Sequence, residues 1–141
     1  MSMDLYKNVK VVQLLNEAQD GASVAVATGT CVSISAYNKR CQVFAHAHWA
    51  TAGAGDDTCT IVIQKCTSAA AAGATTVDTI TLTGTNAADA TASDEIAIDL
   101  EGLGNTYTHL RAVCTFNQDG SAQETSVSVV LVAGYAANEV N

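Results

Sequence analysis

The sequence predicts a mainly β protein: an antiparallel β-sandwich or jelly roll of about seven or eight strands with an N-terminal arm or short helix. Three observations support this fold class. Short runs of strand-favouring residues alternate between apolar and polar, and small polar residues and glycines separate them. Aromatic residues make up only 5% of the chain, which indicates a thin core between two packed sheets. No stretch after residue 21 looks like a crossover helix, which argues against a parallel sheet.

The start of the chain differs from the rest. Residues 1–20 are predicted to form an arm or short helix, and residues 21–141 a single β-sandwich domain. Apolar residues from Asp4 to Gln19 recur with a rough helical period. The adjacent β-branched residues Val11 and Val12 lower helix propensity, so an extended arm is the alternative.

Seven strands are predicted after residue 21. They are Thr30–Ser35, Arg40–Trp49, Thr58–Cys66, Thr75–Thr83, Glu95–Leu100, Tyr107–Phe116 and Ser126–Ala133. The run Val127–Val132 is apolar on both faces, which predicts a central or sandwiched strand. The turn residues of Asn117–Gly120 predict a hairpin between the last two strands.

Charge and hydropathy restrict the partners. Six basic residues against fourteen acidic ones give a formal net charge of −8, which disfavours nucleic acid and anionic membranes as partners. No apolar run approaches the roughly 20 residues that span a bilayer, and charged residues interrupt the first 19 residues where a signal peptide would be apolar. We therefore expect a soluble protein synthesised in a cytoplasm.

Five cysteines are present, an odd number, and none are spaced as C-x-x-C. This pattern argues against a disulfide framework or a zinc ribbon. Each cysteine lies in or beside an apolar β run, so we expect reduced, buried thiols.

A histidine pair is the strongest metal candidate. His46 and His48 would project to one face of a strand, and His109, Asp56 or Asp57 could supply a third ligand. The alternative places these imidazoles at the surface or at a subunit interface. Because nothing fixes a third ligand, the sequence favours the alternative, and no metal or other cofactor is predicted.

Other catalytic patterns are weak. Asp94, Glu95 and Asp99 could suggest paired carboxylates, but they are expected on the solvated face of an edge strand. Asp56 and Asp57 lack the regular oxygen spacing of an EF-hand loop. Nucleophile-elbow and phosphate-loop motifs are absent from the sequence. We therefore expect a protein that is not an enzyme and has no catalytic residues.

The few aromatic residues suggest where a partner could bind. Trp49 closes a long predicted strand, and Tyr6 and Tyr135 lie near opposite ends of the chain. Large amphipathic side chains dominate interface energetics, so these three residues are predicted interface residues.

Four segments together resemble small β-sandwich accessory proteins of the decoration or cement type in tailed-bacteriophage virions. They are "SISAYNKRCQVFAHAHW", "TCTIVIQKC", "DEIAIDLEGLGNTYTHLRAVCTF" and "SVSVVLVAGY", between about Thr30 and Tyr135. The resemblance implies a capsid decoration protein, with a homo-oligomer such as a trimer on the major capsid protein at the capsid surface. It transfers no catalytic site, and the five cysteines and the histidine pair are not part of its pattern.

Three function classes remain open at this stage. The first is the virion structural protein, as a decoration protein or as another head-tail or tail subunit. The second is a carbohydrate-binding β-sandwich, which usually presents exposed aromatic platforms. The third is a cupin-like metal-binding protein using His46, His48 and His109.

Overall fold

The computed structural model describes residues 9–21, 25–50, 57–85, 87–118 and 123–135. These residues form nine strands and a short 3-10 helix, Glu101–Leu103. The strands are β1 Val9–Gly21, β2 Ala25–Thr28, β3 Val32–Ser33, β4 Tyr37–Trp49, β5 Thr58–Cys66, β6 Thr75–Thr83, β7 Ala90–Asp99, β8 His109–Asn117 and β9 Gln123–Tyr135. The predicted β-sandwich is confirmed. In the described part of the chain, no helix is long and apolar enough to cross a membrane.

The core lies between two antiparallel sheets and follows from the period of two along each strand. On β5, Cys59, Ile61 and Ile63 are fully buried, and the residues between them are only half-buried. Leu110 and Phe116 anchor the same pattern on β8. Each fully buried aliphatic or aromatic side chain contributes about 1.5–3 kcal/mol relative to an exposed one. Small core residues elsewhere keep the two sheets close together.

The strand order defines the fold more closely. The first sheet has the order β1-β9-β4-β7 and the second β2-β8-β5-β6, with β3 also paired to β8. β1 pairs with β9, β2 and β3 with β8, β4 with β7, and β5 with β6. If β2 and β3 count as one interrupted strand, the chain folds as a long antiparallel ribbon. In this ribbon the first strand pairs with the last, the second with the second last, and so on inwards. This rolled ribbon is a jelly roll.

The N-terminal helix predicted within Asp4–Gln19 is wrong in the described residues. Val9–Gly21 is a strand at the edge of the first sheet, so its backbone belongs to the sandwich. A bulge between Gln13 and Leu15 turns both Leu14 and Leu15 into the core, at 1% and 5% exposure. Because the bulge breaks the period of two, the apolar pattern imitates a helical one. The extended alternative agrees with the observed strand.

The predicted hairpin at Asn117–Gly120 is also wrong. β8 ends at Asn117 in the second sheet, whereas β9 begins in the first, so this connection crosses between the sheets. Buried Gln118 donates a 2.9 Å hydrogen bond from Nε2 to Thr125 Oγ1 and so fixes the crossing to β9. Turn residues mark where a chain reverses, but not which sheet the next strand joins.

Two predicted strands and one predicted position in a sheet are confirmed. Thr58–Cys66 and Thr75–Thr83 are confirmed with the same bounds. They form a hairpin whose alanine-rich loop turns through Ala71 and Gly73, both with φ of 60°. The central position predicted for Val127–Val132 is confirmed, because β9 lies between β1 and β4.

Candidate interaction surface

The three histidines considered as metal ligands do not come together. His46 and His48 project from the same side of β4, as predicted, on the outer face of the first sheet. His109 lies on β8, where it alternates with buried Leu110, and therefore faces outward from the second sheet. The cupin-like arrangement of these three residues is thus wrong, because the core separates them. In the described residues, no three metal-binding side chains form a cluster.

Each histidine has a hydrogen-bond partner nearby. His46 Nδ1 lies 2.7 Å from Ser93 Oγ on the adjacent β7. His48 Nε2 lies 3.2 Å from an oxygen of Asp89, which precedes the same strand. These contacts join β4 to β7 across the outer face of the first sheet.

Two of the three acidic residues considered for catalysis accept hydrogen bonds from backbone N–H groups. The side-chain oxygen of Asp94 accepts a 2.8 Å hydrogen bond from the backbone N–H of Glu95. Asp99 accepts one of 3.1 Å from the backbone N–H of Glu101 at the 3-10 helix. Of the calcium candidates, Asp56 lies outside the described residues and Asp57 is buried. The carboxylates of β7 therefore shape its exposed edge.

The three predicted interface aromatics have different outcomes. Trp49 is only 1% exposed, so its assignment to an interface is corrected to the core. Its ring packs against Gly84, where a side chain would meet ring carbons at 2.5 Å. Burial of this single tryptophan also removes the most suitable platform for a carbohydrate. Tyr6 lies outside the described residues, and Tyr135 is described only by its backbone, which pairs with Tyr37.

A different apolar surface crosses the outer face of the first sheet. Five residues on three adjacent strands form it, and we name it the apolar stripe: Val9 and Val11 of β1, Val130 and Val132 of β9, and Phe44 of β4. Val11 is 60% exposed, Val9 44% and Phe44 40%, and the two β9 residues are half-buried. The stripe thus contains three of the four most exposed large apolar side chains in the described part of the protein.

Strand register brings the stripe together. Val11 lies opposite Val132, and Phe44 lies opposite Val130, one row further along β9. Cross-strand neighbours have Cβ atoms about 4.5–5.5 Å apart, which makes these pairs contiguous. An open depression of about 410 Å³ adjoins the stripe at Phe44 and Val130 and extends to His46. A partner side chain could enter there.

Acidic groups border the stripe on one side. Glu95 of β7 lies directly opposite Phe44 and is exposed, whereas Asp94 pairs with buried Ala45 and so alternates to the other face of β7. Exposed Arg40 lies opposite Asp99 further along the same two strands. The surface is therefore apolar at its centre and mainly acidic along β7.

The second sheet presents a more polar outer face. Val26 on β2 is 61% exposed, but the row that crosses the sheet from it continues through Thr115, Thr60 and Thr81. Contiguous exposed apolar surface marks interaction sites, whereas isolated apolar residues are ordinary. Among the described residues, the first sheet has three exposed large apolar side chains where the second has one, so it is the better candidate interface, and Val26 provides a control position of equal exposure.

The thiols of Cys41 and Cys59, which lie in the core, are poorly suited to nucleophilic chemistry. Burial raises the pKa of Cys41 to about 11. A hydrogen bond with Cys114, together with burial, raises the pKa of Cys59. These shifts favour the thiol over the reactive thiolate at neutral pH. The predicted burial is confirmed for four cysteines, and Cys31 is half-buried.

Sequence reasoning did not identify the stripe. The shared face of Phe44 and His46 follows from the alternation in β4. The contribution of Val9 and Val11 was missed because this segment was assigned to an arm or helix. Their place in the stripe follows from the register in which β1 pairs with β9. An alternating pattern that is interrupted by a bulge does not reveal that register.

Comparisons with known proteins show the fold. No family model matches the chain, and no curated protein matches it. A structure of the Gx strain of infectious bursal disease virus matches with a TM-score of 0.58 and 14% identity over 90% of this chain. The VP2 subviral particle of the same virus gives a TM-score of 0.55 at 14% identity, and the PBSX exported protein XepA 0.51 at 12%.

The matched region is a part of each larger protein. This chain covers 32% of the two viral chains and 37% of XepA, so it spans about a third of the length of each. At 12–14% identity the likeness is one of fold. The protein is a β-sandwich of jelly-roll topology that shares its fold with a region of a viral particle protein.

Proposed function

We propose that this protein is a virion structural subunit, a capsid decoration protein that binds the major capsid shell through the apolar stripe. The observation that carries the proposal is the contiguous apolar stripe on the outer face of the first sheet of a jelly roll. Contiguous exposed apolar side chains of this kind suit the apolar centre of a protein–protein interface.

The fold supports a structural role. The same sandwich occurs in chains from infectious bursal disease virus, one of them from a subviral particle of VP2. Fold alone does not determine function, so the surface must provide the remaining argument. Three titratable groups have structural surroundings: Asp94 and Asp99 accept hydrogen bonds from backbone N–H groups, and Cys41 is buried with a raised pKa.

The size of the stripe defines its part in binding. Rows two residues apart lie about 7 Å from each other and strands about 4.8 Å, so three rows on three strands cover about 14 Å by 10 Å. A stable interface buries about 800 Å² on each partner. The stripe is therefore the centre of the contact, and the surrounding polar rows form the rim. Many copies on a symmetric shell would then make modest individual contacts sufficient.

Charge indicates the chemistry of the partner surface. The chain carries a net charge of −8, and the exposed residue Glu95 lies beside the stripe, directly opposite Phe44. We infer that the shell presents an apolar patch flanked by Lys or Arg side chains. Such complementarity accelerates association and excludes wrong partners. The same negative charge keeps packaged nucleic acid from competing for the protein.

Binding to particles that lack this chain tests the proposal. Val11→Asp places a carboxylate in the stripe, and Val26→Asp makes the same change at an equally exposed position on an edge strand of the second sheet. Co-sedimentation should show at least a tenfold loss of affinity for Val11→Asp, because a buried unpaired charge is costly. The Val26→Asp control should bind like the unmodified chain. If both variants bind the particles equally well, the stripe is not the surface that binds the shell.

Oligomeric state is a separate part of the proposal. A homo-oligomer, with a trimer as the form expected from the sequence, is measured by light scattering on the free chain. If Val11→Asp dissociates that oligomer while Val26→Asp does not, the stripe binds a second copy and the shell-binding role is wrong. If the oligomer survives both substitutions, the stripe remains available to the shell.

A further inference from the structure

Two cysteines from distant parts of the chain meet on the second sheet. Cys31 lies between β2 and β3, and Cys66 is the last residue of β5. Their sulfur atoms are 3.9 Å apart. Cys66 lies opposite His109 of β8, and Val32, the residue after Cys31, lies opposite Leu110 of the same strand. The pair thus connects elements that flank β8.

We propose that Cys31 and Cys66 are a dithiol site that forms an intramolecular disulfide by exchange with a small-molecule disulfide such as oxidised glutathione. The sequence led us to expect reduced, buried thiols, so this site goes beyond that expectation. It also does not depend on the proposed binding to a capsid shell.

The geometry supports closure of the bond. A disulfide needs sulfur atoms about 2.05 Å apart, so the two sulfurs must approach by about 1.9 Å. Cys31 lies outside both flanking strands, in the connection between them, so rotation of its side chain can shorten the distance without breaking a strand pairing. Cys66 stays fixed by β5, with its backbone carbonyl accepting a 3.0 Å hydrogen bond from the N–H of Thr108.

The exposure of the two cysteines determines which of them reacts first with a solvent reagent. Cys31 is half-buried and can meet a solvent reagent, whereas Cys66 is fully buried and can meet only Cys31. Burial and the hydrogen bond with Cys31 raise the pKa of Cys66, and the positive charge of Arg111 opposes that rise. Exchange requires thiolates, so it should become faster as the pH rises from about 7 to 9.

The chemistry is a balanced two-step exchange. The Cys31 thiolate attacks one sulfur of glutathione disulfide, the glutathione S–S bond breaks, and one glutathione thiolate leaves. The Cys66 thiolate then attacks Cys31 Sγ in the mixed disulfide, and the second glutathione thiolate leaves. The two protein thiols lose two electrons, the reagent gains them, and the two thiol protons end on the two released glutathiones.

The other three cysteines are internal controls. Cys59 and Cys114 are fully buried in the core and Cys41 is 4% exposed, so a solvent reagent does not reach them in the folded protein. Trypsin cleavage after lysine and arginine separates the proposed partners. Cys31 falls in the peptide 11–39 and Cys66 in 66–111, whereas Cys41 and Cys59 share 41–65 and Cys114 lies in 112–141.

Peptide mapping of the full chain tests the site. The reduced protein is incubated in glutathione buffers of increasing oxidising potential, then alkylated and digested without reductant. We expect a linked 11–39 and 66–111 pair that is lost in Cys31→Ser and kept in the control Cys41→Ser. In Cys66→Ser, the mixed disulfide of Cys31 with glutathione should accumulate. Thermal melting of the oxidised chain should rise by about 5–10 °C, since the link closes a loop of 35 residues.

Two outcomes would overturn the inference. One is a mixed disulfide at Cys31 in the unmodified chain with no linked peptide at any potential. The other is a link that involves 41–65 or 112–141 in place of Cys66. Because all these measurements use the free chain, loss of shell binding would leave them unchanged, and failure here would leave the proposed function unaffected.

Discussion

Gly29 is the position where a single added methyl group should do most damage to the jelly roll. It lies just after β2, and its backbone N–H donates a 2.8 Å hydrogen bond to the carbonyl of Ala112 on β8. A Cβ at this position would lie 1.9 Å from the carbonyl oxygen of Leu14, inside the bulge of β1, and 3.1 Å from the carbonyl oxygen of Ala112. Both obstacles are backbone atoms, so no side chain can rotate to relieve the overlap.

The expected cost of Gly29→Ala follows from this overlap. Overpacking a well-packed site costs about 1–3 kcal/mol, and a clash between two backbones belongs at the upper end, about 3 kcal/mol. An unfolding entropy of about 2.1 cal/mol/K per residue gives about 0.3 kcal/mol/K for the whole chain, so the melting temperature should fall by about 10 °C.

Calorimetry measures this loss directly, with Gly102→Ala as the control. A Cβ at Gly102 meets its nearest atom, an oxygen of Asp99, at an ordinary 3.5 Å, so that variant should melt within about 2 °C of the unmodified chain. If Gly29→Ala melts no lower than Gly102→Ala, the close packing of the β1 bulge against the β2–β3 connection is not as described.

Further predictions concern the stripe, the thiols and one partly buried lysine. Val11→Asp and Val26→Asp should each change the free energy of unfolding by less than about 1 kcal/mol in urea titrations, since both positions are exposed; a larger loss in Val11→Asp alone would make its binding defect a folding defect. Burial raises the pKa of Cys41 from its ordinary 9.0 to about 11, so the folded state keeps this thiol protonated at a pH where the unfolded state has lost the proton. The stability that the neutral buried thiol provides is therefore fully present below pH 9 and is lost as the pH rises to about 11. Urea titrations at about pH 8 and pH 10.5 should therefore show a smaller alkaline loss of stability in Cys41→Ala, by up to about 2 kcal/mol, and an unchanged loss would refute the assignment. Lys65 Nζ lies 4.1 Å from the centre of the Tyr107 ring, so Lys65→Met should lower stability by about 1 kcal/mol, and the same substitution in a Tyr107→Leu background should cost less.

Local patterns were enough to identify strands where one face is core and the other is open. β5 and β6 agree with prediction to the residue, and each contains a run of clean alternation, 59–63 in β5 and 80–82 in β6. β1 departs from such a pattern at its bulge, and β2 is only four residues long, too short for periodicity to detect. In both cases the strand depends on partners far away in the chain, which no local window contains.

The candidate site depends even more on long-range pairing. The sequence places Phe44 and His46 on one face, but only the pairing of β1 and β4 with opposite edges of β9 brings Val11 toward Phe44. Burial of Trp49 likewise depends on Gly84, which arrives from the second sheet. Composition predicts a thin core and a sandwich, whereas register determines which apolar residues remain outside.

The abundance of this protein in purified virus particles tests the central claim most directly. Quantitative mass spectrometry would compare its copy number with that of the major shell protein in particles from the virus that, under the proposed function, encodes it. A decoration protein should be present in a fixed ratio to the shell protein, one copy or one oligomer for each repeating unit of the lattice. A few copies per particle would indicate a head-tail or tail position instead, and absence from the particles would contradict the virion role altogether.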